Sequence, residues 1–353
     1  MQIDEPEILY SELPARHGKF GIITLNRPKA LNALSVGMVS SMYDQLHVWA
    51  DDKDVLAVII QGAGDRAFCA GGDLKLVYVH GKNNYQDMIP FFSAEYHLNQ
   101  YINEYPKPYI ALLNGIAMGG GLGVSVHGTR VIATERLQLA MPETAIGFYP
   151  DVGAGYFLSH CPHKIGMYLG LTGNSIGVAD AMLCKLVHAC IPSNKLQDFV
   201  ASLAAQDLRA TPLETIDAVI ADYQQEPGIP SLKQYINTIE NCFNKSSVEN
   251  IIAALKNQGS DWAMSQVVTL NKRSPTGLKV TFKDLTICAK LSLPECLNID
   301  FNLTLKLFQE HDIYEGIRAV LVDKTQDPKW QPDTLQAVSD EFIEQLFEIK
   351  CKL

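Results

Sequence analysis

The stretch YIALLNGIAMGGGLG, Tyr109 to Gly123, decides how the chain folds. Its first part, Tyr109 to Leu113, is a continuous apolar run between Pro108 and Asn114-Gly115, the pattern of a strand buried on both faces. The triple glycine Gly119-Gly120-Gly121 follows and opens a helix. Glycine there costs roughly 1 kcal/mol per residue against alanine, so it needs a reason. Two stay open. Helix and strand pack too closely for a side chain, or unpaired amides at the helix start receive an oxyanion or a phosphate. A dinucleotide fingerprint is excluded: G-x-G-x-x-G is absent and no phosphate-binding Lys follows.

The same grammar extends in both directions. FGIITL (Phe20–Leu25) reads as a strand stopped by Asn26-Arg27-Pro28. Ser35 is placed to cap a helix carrying Val39, Met42, Tyr43, Leu46 and Trp49. VLAVIIQ (Val55–Gln61) is another buried strand, followed by the glycine-rich turn Phe68 to Leu74. A helix over 86–105 is stopped by Pro106 and Pro108, and short strands are expected at 130–133 and 137–141. The architecture is therefore α/β. Beyond residue 195 the pattern becomes helical, with helices expected at 196–205, 213–223, 232–243, 247–256, 262–272, 277–291 and 303–310. We divide the chain into a catalytic core, 1–195, and a helical C-terminal region, 196–353.

The 353 residues carry a formal net charge of −10, which opposes nucleic-acid partners. A small phosphorylated ligand remains compatible, because local amides hold phosphate whatever the global charge. The eight cysteines form no CxxC pair, so no zinc site is expected and the thiols read as free in a reducing compartment. The opening MQIDEPEILY has neither an apolar nor an Arg-rich leader, and no apolar run is long enough to span a bilayer. The expectation is a cytoplasmic enzyme without membrane partners.

Two further segments carry candidate chemistry. Ala70-Gly71-Gly72-Asp73-Leu74 is either a plain strand-to-helix turn with Asp73 as cap, or a place where a ligand approaches the backbone. In Met141-Pro142-Glu143 and Pro150-Asp151-Val152-Gly153, both acids sit where helices start. They also read as two carboxylates sharing a site.

Taken together, these segments resemble the crotonase (enoyl-CoA hydratase/isomerase) superfamily. Asn26-Arg27-Pro28 with Asn32-Ala33-Leu34 matches its first CoA-contacting loop, Phe68 to Leu74 its first oxyanion loop, and Met118-Gly119-Gly120-Gly121 its second. Within it, Met118 to Gly128, Met141 to Gly153, Arg273 to Lys279 and Glu315 to Lys324 resemble the 3-hydroxyisobutyryl-CoA hydrolases. The resemblance runs from about residue 8 to 335. It implies a crotonase-like ββα-repeat core with a helical C-terminal region. It implies a thioester carbonyl held by the N–H groups of Gly72 and Gly120, substrate positions Glu95, Gly120, Glu143 and Asp151, and Glu143 and Asp151 as catalytic carboxylates. CoA contacts fall on Arg27, Ala30, Leu31, Ala70, Gly71, Asp73 and Leu74, with Lys279 reaching phosphate. No cofactor or metal is implied; coenzyme A is part of the substrate.

The implied reaction is hydrolysis of a short branched β-hydroxyacyl-CoA of the kind met in valine catabolism, with Glu143 as nucleophile or general base and Asp151 orienting. The main alternative is an enoyl-CoA hydratase or isomerase. Hydratases carry a glutamate two residues after the triple glycine, where this chain has Gly123. A non-catalytic RNA- or CoA-ester-binding member is a further alternative, opposed by the acidic charge and the intact carboxylate pair. Both a homo-oligomer and a self-capped single chain fit the long C-terminus.

Overall fold

Strands that bury both faces show no polar alternation, and that is how the sheet is built. The computed structural model describes residues 5–353; Met1–Asp4, the first part of the acidic opening, lies outside them. Nine strands occur among the described residues: β1 Ile8–Ala15, β2 Gly18–Leu25, β3 Val55–Gly62, β4 Ala67–Cys69, β5 Tyr109–Leu113, β6 Ile116–Met118, β7 Arg130–Ala133, β8 Gln138–Ala140 and β9 Ala189–Cys190. A six-stranded sheet runs β1-β2-β3-β5-β7-β9, and a small second sheet runs β4-β6-β8. β1 and β2 form an antiparallel hairpin, and the pairings from β2 to β9 are parallel. Three times a long strand enters the large sheet and the next, short strand enters the small one. This is the ββα repeat expected of the fold.

Alternate residues divide the burial. Phe20, Ile22, Ala57, Ile59, Ile110, Leu112 and Ile132 form one apolar cluster with Phe199, Leu203, Ile216, Val219 and Ile220. The last five come from helices Leu196–Ala204 and Pro212–Tyr223. The opposite face carries helix Val36–Asp51. A Cβ on Gly21 would stand 2.6 Å from the Trp49 ring, so glycine there lets the indole lie against the sheet. Ser35 caps this helix as expected, accepting from the Met38 amide.

Contacts group the chain into two compact units. One comprises residues up to Gly72, His97–Leu139 and Ile176–Pro230; the other Asp73–Tyr96, Ala140–Ser175 and Ser231–Leu353. The helices after residue 195 are thus shared between the units, because the apolar faces of the first two cover the sheet. No strand follows Cys190 among the described residues. Among the differences from expectation, three have clear physical causes. β1 was not foreseen, because its half-exposed residues give no apolar run. Helix Leu293–Leu307 begins ten residues before the expected 303, at a capping box of Ser292 and Glu295. The triple glycine opens a single turn, Gly120–Gly123, too short for a helix dipole to contribute.

Asn32 ties the loops around the sheet together. It is fully buried; its side-chain oxygen accepts from the Arg27 amide (2.9 Å), and its NH2 donates to the carbonyls of Ala63 (3.0 Å) and Ala67 (2.9 Å). Asn32→Ala leaves three backbone groups unpaired. At about 1 kcal/mol or more for each, the variant is expected to lose about 3 kcal/mol or more in urea unfolding. A loss below about 1 kcal/mol would mean that water replaces the amide.

Candidate active site

Three loops converge in the first unit. After the short turn Pro28–Ala30, Leu31 takes up a left-handed conformation. Its carbonyl accepts the Ala70 amide (3.0 Å), and the Leu34 amide donates to Gly71 (2.8 Å). Gly121 packs directly beneath: a Cβ there would stand 2.5 Å from the Cys69 carbonyl. Close packing therefore accounts for Gly121. The N–H groups of Gly72 and Gly120 meet no protein acceptor among the described residues. Two unpaired amides on touching loops are what an oxyanion requires.

The acids gather in the second unit. Pro142 leads into a short 3-10 turn, Glu143–Ile146. The Ser274 amide donates to the Thr144 carbonyl (3.1 Å), and its hydroxyl donates to Asp312 (2.6 Å). Gly316 lies so close to the Ile146 backbone that any side chain would overlap it. The runs Arg273–Lys279 and Glu315–Lys324 therefore brace the turn that carries Glu143. Asp151 does not cap the helix Ala154–Ser159; Gly153 stands at that position without a side-chain cap. Instead Asp151 Oδ2 accepts the Tyr96 hydroxyl at 2.7 Å, and Tyr96 contacts Thr304 Oγ1, also at 2.7 Å. Asp300 Oδ2 accepts the Gly153 amide (2.8 Å), which fixes the turn after Asp151.

Glu95, Glu143, Asp151, Asp284 and Asp300 are all buried, and none forms an ion pair among the described residues. Glu95 Oε1, Glu143 Oε2 and Asp300 Oδ1 lack any hydrogen-bond partner. Burial raises Glu143 well above the usual carboxylate range, and the neighbouring Asp151 and Glu95 add to it. Glu95 is raised for the same reasons, burial first and Asp151 second. Burial lifts Asp151 only to about 6, because the Tyr96 hydroxyl favours its charged form. Asp284 is pushed up to about 7 by burial, held back by the Cys288 thiol and raised further by Asp151. Tyr96, Tyr149, Asp284, Asp300 and Thr304 escaped the sequence reading. The available signal was an acid amid apolar neighbours, as in LNIDFNL around Asp300.

Of the residues expected to contact CoA, Arg27, Ala30, Leu31, Ala70 and Gly71 lie in the joined loops. Arg27 spends its guanidinium on the Ala33 carbonyl (2.7 Å) and Glu7 (3.0 Å). Asp73 precedes helix Leu74–Asn83 without capping it through its side chain. Lys279, expected to reach phosphate, has protein partners of its own. Its ammonium donates to the Val338 carbonyl (2.8 Å) and pairs with Glu249 (3.2 Å) and Asp340 (3.6 Å). These partners hold the segment that precedes helix Asp340–Leu346, and we leave Lys279 out of the site.

A family profile described as enoyl-CoA hydratase/isomerase matches residues 20–347. The chain belongs to the enoyl-CoA hydratase/isomerase family. Within this family it is 42% identical over 346 residues to a Danio rerio protein named "3-hydroxyisobutyryl-CoA hydrolase, mitochondrial", covering 97% of this chain and 89% of that one. A Homo sapiens protein of the same name is 40% identical, with 94% and 87% covered. Among solved structures, a carnitinyl-CoA dehydratase from Mycobacterium thermoresistibile superposes with TM-score 0.90 at 37% identity, over 98% of this chain and 97% of that one. An enoyl-CoA hydratase from Rhodobacter sphaeroides gives 0.87 at 31%, with 97% of each covered. The fold and the resemblance read from the sequence both stand. The expected cytoplasmic location does not, since the hydrolase relatives are named mitochondrial. That expectation rested on a leader not seen, and address signals are read separately from the fold.

The raised acids make stability depend on pH. Asp284 titrates near 7 when folded against an ordinary value of 3.8, so its contribution is complete below about 4 and is lost as pH rises through 7. Asp284→Asn removes the buried charge. The variant is expected to melt near wild type at pH 4 and several degrees higher at pH 8. Equal melting differences at both values would show that Asp284 does not titrate in that range.

Proposed function

We propose that the chain hydrolyses 3-hydroxyisobutyryl-CoA, a step of valine breakdown, to the free acid and CoA, and that it works in the mitochondrion. The observation that carries this is the pairing of two buried acids, Glu143 and Asp151, with Gly123 where the hydratases place a glutamate. The hydrolase relatives, matched over nearly the whole chain, support the same reading.

Both acids are raised by burial, and Asp151 alone has a hydroxyl donor that favours its charged form, which supports giving the two different roles. We assign the charge to Asp151, lifted only to about 6 and favoured in its charged form by Tyr96, and the proton to Glu143, which burial and the neighbouring acids raise well above the carboxylate range. Asp151 accepts a proton from water as the water oxygen attacks the thioester carbon. The carbonyl electrons move onto oxygen, where the N–H groups of Gly72 and Gly120 receive them. The intermediate collapses, the C–S bond breaks, and Glu143 gives its proton to the departing sulfur. The new acid ionises, and the proton on Asp151 returns to Glu143 through solvent. Water is the co-substrate, and no cofactor enters. In this cycle we take Glu143 as the acid; the nucleophile and general-base roles expected from the sequence are the alternatives to it. The backbone of 27–31 and 70–74 is assigned to the CoA end, and Glu95 to the acyl end.

The names of the solved relatives favour a second reading, addition of water to an enoyl-CoA. That reaction delivers oxygen to C3 between two glutamates, and Gly123 removes one of them.

Thiol release over a panel of acyl-CoAs separates these readings. A β-hydroxy branched substrate is expected to be preferred over its deoxy analogue, with crotonyl-CoA hydration absent; the reverse pattern overturns the assignment. Glu143→Gln is expected to lower kcat by about 10³-fold, within the range of general acid catalysis, with KM within about tenfold of wild type. Wild-type kcat/KM is expected to fall tenfold per pH unit below about 6, as Asp151 is protonated. A limb at 4 would remove Asp151 as the base.

A further inference from the structure

One hydrogen-bond chain ends on Asp151, and its direction is fixed by counting protons. Tyr96 has a single hydroxyl hydrogen, and it goes to Asp151 Oδ2 at 2.7 Å. The 2.7 Å contact between Tyr96 and Thr304 is then a donation by the threonine to the tyrosine oxygen. Tyr149, 3.3 Å from the same threonine oxygen, gives its own hydrogen to the Asp300 carbonyl at 2.9 Å. The order is therefore Thr304 to Tyr96 to Asp151. Tyr96 and Tyr149 are wholly buried and Thr304 nearly so, which leaves the chain out of bulk water.

The groups whose titration Asp151 influences are acids and phenols. Helix Ile89–Asn103 brings Glu95 beside Tyr96, the preceding loop brings Glu143 and Tyr149, helix Pro275–Cys288 brings Asp284, and helix Leu293–Leu307 brings Asp300. Among the described residues no lysine or arginine shifts Asp151 in return. We propose that Tyr96 is the positioning residue for Asp151: oriented by Thr304, its hydroxyl pins Oδ2 and turns Oδ1 toward the reacting water. The inference rests on Asp151 acting as the base. A rigid, buried donor suits that task better than water, because a phenol on one oxygen leaves the carboxylate little freedom to rotate. It also favours the charged form of the acid.

The test compares Tyr96→Phe, Thr304→Val and Asp151→Asn by thiol release across pH, with folding checked by circular dichroism. Tyr96→Phe is expected to lower kcat about tenfold or more, leave KM within about threefold, and move the acid limb of kcat/KM upward by about one pH unit. Thr304→Val is expected to move the limb the same way by less. The double variant is expected to move it no further than Tyr96→Phe, since both act through one chain. Asp151→Asn is expected to lose at least about a hundredfold in kcat. An active Asp151→Asn would sink the proposed base, and the positioning role with it. An inactive Asp151→Asn beside a Tyr96→Phe with wild-type kcat and acid limb would overturn the positioning role alone. If Tyr96→Phe does not fold, Thr304→Val decides, and an unmoved limb overturns the proposal.

Discussion

A carboxyl group taken out of water without a cation must be neutral, be held by donors, or destabilise the fold. Glu95, Glu143, Asp151, Asp284 and Asp300 are such groups inside the second unit, and much of the local structure is an answer to that constraint. The Gly153 amide serves Asp300, the Cys288 thiol serves Asp284, and the Tyr96 hydroxyl serves Asp151. Glu95 and Glu143 keep an oxygen without a donor. Net folding stability is only about 5–15 kcal/mol, so such groups are an expense that packing alone does not explain. Clusters of carboxyl groups with perturbed titration are what a site for acid–base chemistry is built from, and the proposed hydrolysis draws on two of them.

How far this was legible in the sequence depended on what each residue signalled locally. The central strands were legible because burial on both faces leaves continuous apolar runs, as in VLAVIIQ and YIALL. β1, half exposed, left none. Glu143 and Asp151 follow prolines at expected helix starts, a placement with an ordinary structural meaning, so the residues alone left two readings open and the resemblance chose between them. Tyr96, Asp300 and Thr304 were out of reach for a different reason. Tyr96 and Thr304 lie 208 residues apart, and nothing in either neighbourhood announces the other. Lys279 shows the converse: a cation in a run resembling the family was assigned to phosphate, while its partners on two other helices and a loop end were invisible from sequence spacing.

The relatives show how little scaffold change separates two chemistries. Solved structures named hydratase and dehydratase superpose along nearly the whole chain, and in this chain the loops that carry the Gly72 and Gly120 amides are packed by glycine. The outcome then turns on which acids are present and which carbon they address. One fold hosts several reactions because such differences sit at a few positions and leave the sheet untouched.

The second unit is assembled from three separate stretches of chain, the last beginning at Ser231. A ribosome delivers these stretches in order. Thr304 emerges 208 residues after Tyr96, roughly ten to forty seconds later at about 5–20 residues per second. For most of that interval Asp284 and Asp300 do not yet exist, so the acids already made remain ordinary, hydrated carboxylates. The nascent polypeptide therefore acquires its unusual acid–base character late in synthesis, with the arrival of its helical C-terminal third.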